Sequence, residues 1–193
     1  MYAGKTERGF QYVRAAVMGG NNAVVVKHGS DTRYRSELAS SHDGTNMRAI
    51  VVDSLVEDPI GIGPNVKLIF VDEGQFQAGL AAFCMRQNKM GRDVVVSALN
   101  SKGDAERTPW PPVMELIPWV TNLQMLTSIC GICHGVANCS RYIGDGVLPT
   151  EGNAVGADDK FMATCAECYE VDLPENALKD RAERVAYLKS LSK

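Results

Sequence analysis

The apolar positions of this chain are spaced in two ways. Between residues 5 and 18, Phe10, Val13 and Val17 recur at helical spacing and predict a helix. The run Gly19, Gly20, Asn21, Asn22 stops it. Ala23 to Val26 is instead a short continuous apolar run, the pattern of a strand covered on both faces. A polar stretch, HGSDTRYRSELASSHDGTN, comes next. Met47 to Val56 suits either a short helix or a strand, and Pro59 to Pro64 reads as a glycine-rich turn. In VKLIFVDEGQF a strand over Leu68 to Val71 ends in two acids and a glycine. Gln77 to Asn88 has a helical pattern with Leu80, Phe83 and Cys84 on one side, and Asp93 to Leu99 is a second fully apolar strand. After a polar loop and a Pro-Trp-Pro-Pro breaker, Val113 to Ile117 predicts a helical turn and Leu123 to Ile129 a weaker strand. Beyond Pro174, Leu178, Ala182, Val185 and Leu188 form one stripe of an amphipathic helix.

Strand and helix alternate, which points to an α/β fold with a mostly parallel sheet covered on both faces. From Cys130 the composition changes to cysteine, glycine and short polar stretches. The expected division is therefore an α/β domain over 1–129 and a smaller domain with a C-terminal helix over 130–193.

Composition narrows the class. At 193 residues, 45% hydrophobic and 22% charged, the chain can bury one good core with a small appendage. A net charge of -3 offers no basic footprint, so a general nucleic-acid binder is not expected. No apolar run is long enough to cross a bilayer, and the N-terminus lacks the apolar core of a signal peptide, so no membrane partner is expected. The expected location is the cytoplasm, where thiols stay reduced.

That expectation bears on the six cysteines. Cys130 with Cys133 and Cys165 with Cys168 form two C-x-x-C pairs, and together they offer the four sulfurs of a structural zinc site. Zinc sites of this kind contribute roughly 10–16 kcal/mol apparent in small modules. Two other readings stand beside it. Cys130 to His134 also spells the heme c attachment pattern, and a single C-x-x-C can be a redox pair. Cys84, on the apolar side of its helix, reads as core.

Two further features carry chemistry. Gly4-Lys5-Thr6 is the second half of a phosphate-binding loop, without the strand and leading glycine that normally precede it. Asp72 and Glu73 stand at the carboxyl end of a strand, where ligands bind in open α/β sheets. There an aspartate can hold Mg²⁺ and a neighbouring carboxylate can take a proton from an attacking hydroxyl. Either feature alone is also an ordinary turn or strand end. In the order loop, strand, acid, strand they support a Walker-type nucleotide site.

The full set of motifs resembles the zinc-containing (type II) thymidine kinase family, including its trypanosomatid members, some of which carry degenerate tandem copies. The carrying residues are Met1 to Thr6, Asp31-Thr32-Arg33-Tyr34, Ser41-His42-Asp43, Val71 to Phe76, Ser97-Ala98-Leu99 and both cysteine pairs, all in family order. The resemblance implies a P-loop (RecA-like) sheet domain and a small zinc-stabilised lasso. It implies ATP-dependent phosphorylation of the 5′-hydroxyl of thymidine, and of deoxyuridine, by a homo-tetramer. Met1 matches the methionine inside the family's phosphate loop, so the first strand and the Gly-Pro before it are expected upstream.

Residue by residue, the resemblance implies that Gly4, Lys5 and Thr6 cradle the ATP phosphates, with Thr6 on Mg²⁺. Asp31 and Arg33 lie near metal and phosphates, and Asp72 and Gln75 belong to the same set. Glu73 is the general base on the 5′-hydroxyl. Phe76 and Leu99 pack on the base, Met1 lines the pocket for the 5-methyl group, and Trp110 and Phe161 fill aromatic positions. Cys130, Cys133, Cys165 and Cys168 hold zinc. The sequence departs from the pattern in the missing first half of the loop, in Tyr142 where the family has arginine, in Phe161 where it usually has tyrosine, and in the longer segment NSKGDAERTPW. These departures keep a second expectation open: an inactive copy that binds nucleotide and zinc or serves as a scaffold.

Overall fold

The structure is a computed structural model, and it describes residues 2–29, 38–40, 44–59, 61–144 and 160–171. Met1, Asp31, Arg33, Ser41 to Asp43 and the tail beyond Pro174 lie outside the described residues. The described residues fall into two units. The larger comprises those of Gly4–Asn100 and Pro109–Gln124; the smaller comprises Tyr2, Ala3, Ser101–Thr108 and the described part of Met125–Lys193.

The larger unit is α/β, as expected. Its five-stranded sheet has the order β2-β3-β1-β4-β5, from Leu38–Ser40 (β2), Asn46–Val52 (β3), Asn22–His28 (β1), Val66–Val71 (β4) and Asp93–Val96 (β5). The last four run parallel, and β2 is antiparallel to β3. Val26 pairs with Val71 and Val71 with Val96, so β1, β4 and β5 come nearly level at this edge.

Strand alternation divides the core. Val25, Leu68 and Phe70 face Phe10 and Val13 of helix α1 (Lys5–Met18). Val26, Ile69 and Val71 face Leu80 and Phe83 of α2 (Leu80–Lys89) and Leu116 of α3 (Pro111–Leu116). Burying each of these large side chains stabilises the fold by about 1.5–3 kcal/mol. On the first face α1 approaches closely: Phe10 meets Phe70 edge-on at 5.9 Å, and a Cβ at Gly9 would lie 2.1 Å from the Phe70 ring.

Several expectations change in detail. Of Met47 to Val56, the part up to Val52 is strand β3, whose β-branched residues pair in parallel with β1. Val17 points to solvent. Helix α2 begins at Leu80 and not at Gln77, because Gly74–Phe76 first forms a tight 3₁₀ turn. Gly79 then caps the helix at φ 77°, where a Cβ would sit 2.9 Å from the Val56 backbone. Strand β5 stops at Val96, short of Leu99, because the Leu99 N–H donates to the Gln75 side chain (3.0 Å) instead of a neighbouring strand. Of Leu123 to Ile129 only Ser128–Ile129 is a strand, and Leu123, Met125 and Ile129 are exposed. Cys84 packs on the sheet core, and burial pushes its thiol up to about 12, which fits a core residue.

The smaller unit holds two hairpin-like pairs, β6 (Ser128–Ile129) with β7 (Val136–Ala137) and β8 (Cys139–Tyr142) with β9 (Phe161–Thr164), and then α4 (Ala166–Tyr169). Loop 101–108 belongs to it. The Tyr142 N–H donates to the Gly103 carbonyl (3.2 Å), and the Tyr169 hydroxyl donates to the Asp104 carbonyl (2.5 Å). Gly103 has no room for a side chain, since a Cβ would lie 2.7 Å from the Phe161 ring. Among the described residues no helix is long and apolar enough to cross a membrane.

Candidate active site and metal centre

At the carboxyl edge of the sheet, the segments after β4 and β5 meet the start of α1. Gly4 caps α1 in the left-handed region (φ 72°), which lets the chain turn abruptly into the helix. Lys5 and Thr6 are its first two residues. The Thr6 hydroxyl lies 3.1 and 3.2 Å from the two Asp72 carboxylate oxygens.

Asp72 is 3% exposed and held on several sides. Its N–H donates to the Val26 carbonyl (2.8 Å), its Oδ1 accepts from the Glu73 N–H (3.1 Å), and the Ser97 hydroxyl donates to the same oxygen. Burial, and then the neighbouring Glu73 charge, push its carboxyl up from 3.8 to about 6. The Ser97 hydrogen bond, the Lys5 charge and Thr6 pull the other way, so the group stays largely ionised at neutral pH.

Glu73 occupies the left-handed region at φ 52°, ψ 46°. For a side chain with a Cβ this costs on the order of 1–2 kcal/mol. The surroundings enforce it. Gly74, whose N–H donates to the Ser97 carbonyl (2.8 Å), packs so closely that a Cβ there would lie 2.6 Å from Val96. Gln75 is 2% exposed, and its Nε2 donates to Glu73 Oε2 at 2.5 Å. Beyond it, Phe76 meets Trp110 edge-on at 5.4 Å and His28 at 6.1 Å.

This unit therefore brings Lys5, Thr6, Asp72, Glu73, Gln75 and Leu99 to one edge of the sheet, with Phe76 and Trp110 as an aromatic pair. Phe161 lies in the other unit, against Tyr142 at 5.5 Å. Met1, Asp31 and Arg33 lie outside the described residues. Three residues at this edge carry no role in the sequence reading. Ser97 contacts Asp72; His28 contacts Phe76; and Lys27, 1% exposed, donates from Nζ to the Leu38 carbonyl (2.7 Å). Alternation was the available signal, because Lys27 and Ser97 continue strand faces that point toward α1.

In the smaller unit the sulfurs of Cys130, Cys133, Cys165 and Cys168 all lie within 4.8 Å of one another. The Cys133 and Cys165 sulfurs are 3.7 Å apart. Four sulfurs about 2.3 Å from one tetrahedral ion would be spaced roughly 3.8 Å apart, so this set can hold a structural metal such as zinc. Each pair sits on a turn built for it. The His134 N–H donates to the Cys130 carbonyl (3.1 Å) with His134 at φ 63°, and Cys165 caps α4 by accepting from the Cys168 N–H (3.4 Å). Convergence of all four sulfurs uses both C-x-x-C pairs, which neither a heme attachment nor a lone redox pair does.

Comparison with known proteins agrees with this geometry. A family model described as Thymidine kinase matches residues 1–169. The chain is 32% identical over 169 residues to "Thymidine kinase" of Myxoma virus (strain Lausanne), covering 88% of this chain and 91% of the relative. It is 31% identical to "Thymidine kinase, cytosolic" of Bos taurus over 88% of this chain and 68% of the relative. For "Thymidine kinase" of Vaccinia virus (strain Western Reserve) the identity is 30%, over 88% and 92%.

Proposed function

This chain belongs to the thymidine kinase family, and from that premise we propose how it passes a phosphoryl group from ATP to the 5′-hydroxyl of thymidine. The reaction is thymidine phosphorylation; ATP as donor, deoxyuridine as a second acceptor and the individual residue roles are our reading. Nothing among the described residues favours an inactive copy.

Phosphoryl transfer asks little covalent work of a protein and much positioning and charge neutralisation. Gly4, Lys5 and Thr6 bring the positive end of a 14-residue helix and one ammonium to the phosphates. Thr6 and Asp72 are the residues that would hold Mg²⁺, and when bound that ion neutralises phosphate charge. Asp31 and Arg33 complete the phosphate side, while Gln75, expected there from the resemblance, holds Glu73 and Leu99 through its amide. Glu73 takes the proton of the 5′-hydroxyl as the oxygen attacks. Phe76, Leu99 and Trp110 hold the base. The four cysteines hold zinc, which shapes the lasso and takes no part in the chemistry. We further propose a homo-tetramer in the cytoplasm, acting on small molecules and not on nucleic acid or membrane.

The observation that carries this reading is the Thr6–Asp72 contact beside a glutamate locked in a left-handed turn. An assay with labelled thymidine and Mg-ATP tests it. Glu73→Gln is expected to lower kcat by about 10²–10⁴-fold with ATP binding kept. Unchanged turnover would remove Glu73 from the role of base.

A further inference from the structure

Of the residues at this edge that the proposed mechanism leaves unused, Ser97 is the one that contacts Asp72. It lies one residue past β5, and it is buried. Its backbone is gripped from both sides: its N–H donates to the Val71 carbonyl (2.9 Å), and its carbonyl accepts from the Gly74 N–H (2.8 Å). The pairing Val71 with Val96 thus continues to Asp72 beside Ser97, and both extend the strand face that packs on α1. The hydroxyl is delivered to the carboxylate by backbone pairing and not by a mobile loop.

The contacts on Asp72 are unequal. Oδ1 accepts from the Ser97 hydroxyl and the Glu73 N–H, while the Thr6 hydroxyl straddles the carboxylate, 3.2 Å from Oδ1 and 3.1 Å from Oδ2. A carboxylate can rotate about its terminal bond, and two donors fixed on one oxygen suppress that rotation. The Thr6 hydroxyl has a single hydrogen. Directed at Asp72, it leaves the threonine lone pairs facing away from the carboxylate, available to a cation.

We propose that Ser97 is a positioning residue for the divalent cation of the reaction: by holding Asp72 Oδ1 it keeps Oδ2 and the Thr6 oxygen arranged to bind Mg²⁺. The proposal rests on the kinase reading above and deepens it. Its ligand is a hydrated divalent cation carried with a nucleoside di- or triphosphate. Ser97 touches neither the phosphates nor the nucleoside in this role.

The experiment uses the full chain with Ser97→Ala, Ser97→Thr and Ser97→Cys. Two quantities are read: the Mg²⁺ concentration for half-maximal thymidine phosphorylation, and the factor by which Mg²⁺ tightens ADP binding in calorimetry. Loss of one hydrogen bond to a charged group is expected to raise the Mg²⁺ requirement of Ser97→Ala by roughly tenfold. The Mg²⁺ enhancement of ADP binding should shrink by the same factor. Thymidine KM and Mg²⁺-free ADP affinity should stay within about twofold of wild type. Ser97→Thr, which keeps the hydroxyl, should restore Mg²⁺ dependence, and Ser97→Cys provides the loss-of-bond test should the alanine variant fail to fold. An unchanged Mg²⁺ requirement in Ser97→Ala overturns the proposal. So does a loss spread equally over thymidine and Mg²⁺-free ADP, or a threonine variant no better than alanine. A wild-type chain that binds no ADP and phosphorylates no thymidine would instead bring down the kinase reading, and this inference with it.

Discussion

Gln75 ties Glu73 to the segment that follows β5: its Nε2 donates to Glu73 Oε2 at 2.5 Å while its Oε1 accepts from the Leu99 N–H at 3.0 Å. The proposed base and a proposed base-packing residue are therefore set by one buried amide. Gln75→Ala is expected to lower kcat about tenfold or more and to raise thymidine KM, with little change in ATP KM. Steady-state kinetics with each substrate varied in turn checks the split. Equal losses for both substrates would argue for general unfolding of the edge.

Gly9 rests against the Phe70 ring, with no space for a methyl group. Gly9→Ala improves helix propensity, yet it must push α1 from the sheet or displace a fully buried ring. Overpacking of this kind costs about 1–3 kcal/mol, more than the roughly 1 kcal/mol that propensity returns. Urea unfolding should show a lower midpoint at unchanged slope. A rise in midpoint would mean the helix can shift freely.

Asp72 gives stability a pH dependence of unusual sign for a carboxylate. Its folded-state pKa is raised from 3.8 to about 6 by burial and Glu73, so the native state holds a proton that the unfolded chain has released. The contribution is complete below pH 3.8 and disappears as pH rises through 6, amounting at most to about 3 kcal/mol. Without added Mg²⁺, Asp72→Asn is expected to become more stable relative to wild type between pH 4.5 and 7.5. Chemical denaturation at both pH values measures this. A relative loss instead would mean that the Thr6, Ser97 and Lys5 contacts outweigh burial.

Metal removal should act first on the smaller unit. The chain is expected to carry one tightly held zinc, and chelation or Cys130→Ser should lower its melting temperature. Loop 101–108 hangs on the same unit through Gly103 and Asp104, so the Lys102 and Arg107 amides should lose hydrogen-exchange protection together with β8 and β9. Tyr169→Phe should loosen the loop amides alone, with zinc content unchanged. Protection that survives chelation would uncouple the loop from the metal centre.

The parts of this molecule legible in the sequence are those fixed by local pattern. The runs Ala23–Val26, Leu68–Val71 and Val94–Val96 are continuous and apolar because both sheet faces are covered, and they read directly as parallel strands. The cysteine pairs and Asp72-Glu73 were legible because their chemistry needs those residue types at those spacings. Ser97 was not, since a serine after a strand is ordinary until the register places it beside Asp72. Leu123 to Ile129 misled for the opposite reason: its apolar residues mimic a strand, but a strand needs a paired neighbour, and only Ser128 and Ile129 have one. Gln77 shares a helical periodicity with Leu80 and Cys84, yet the strained turn at Glu73 consumes the residues before Leu80.

The left-handed backbone at Glu73 sets activity against durability at a single codon. Glycine relieves the torsional cost there, on the order of 1 kcal/mol, and asparagine relieves part of it. Any selection that rewards only heat resistance or expression will therefore drift toward small residues at this position, and it will enrich sturdier molecules that have discarded the proposed proton acceptor.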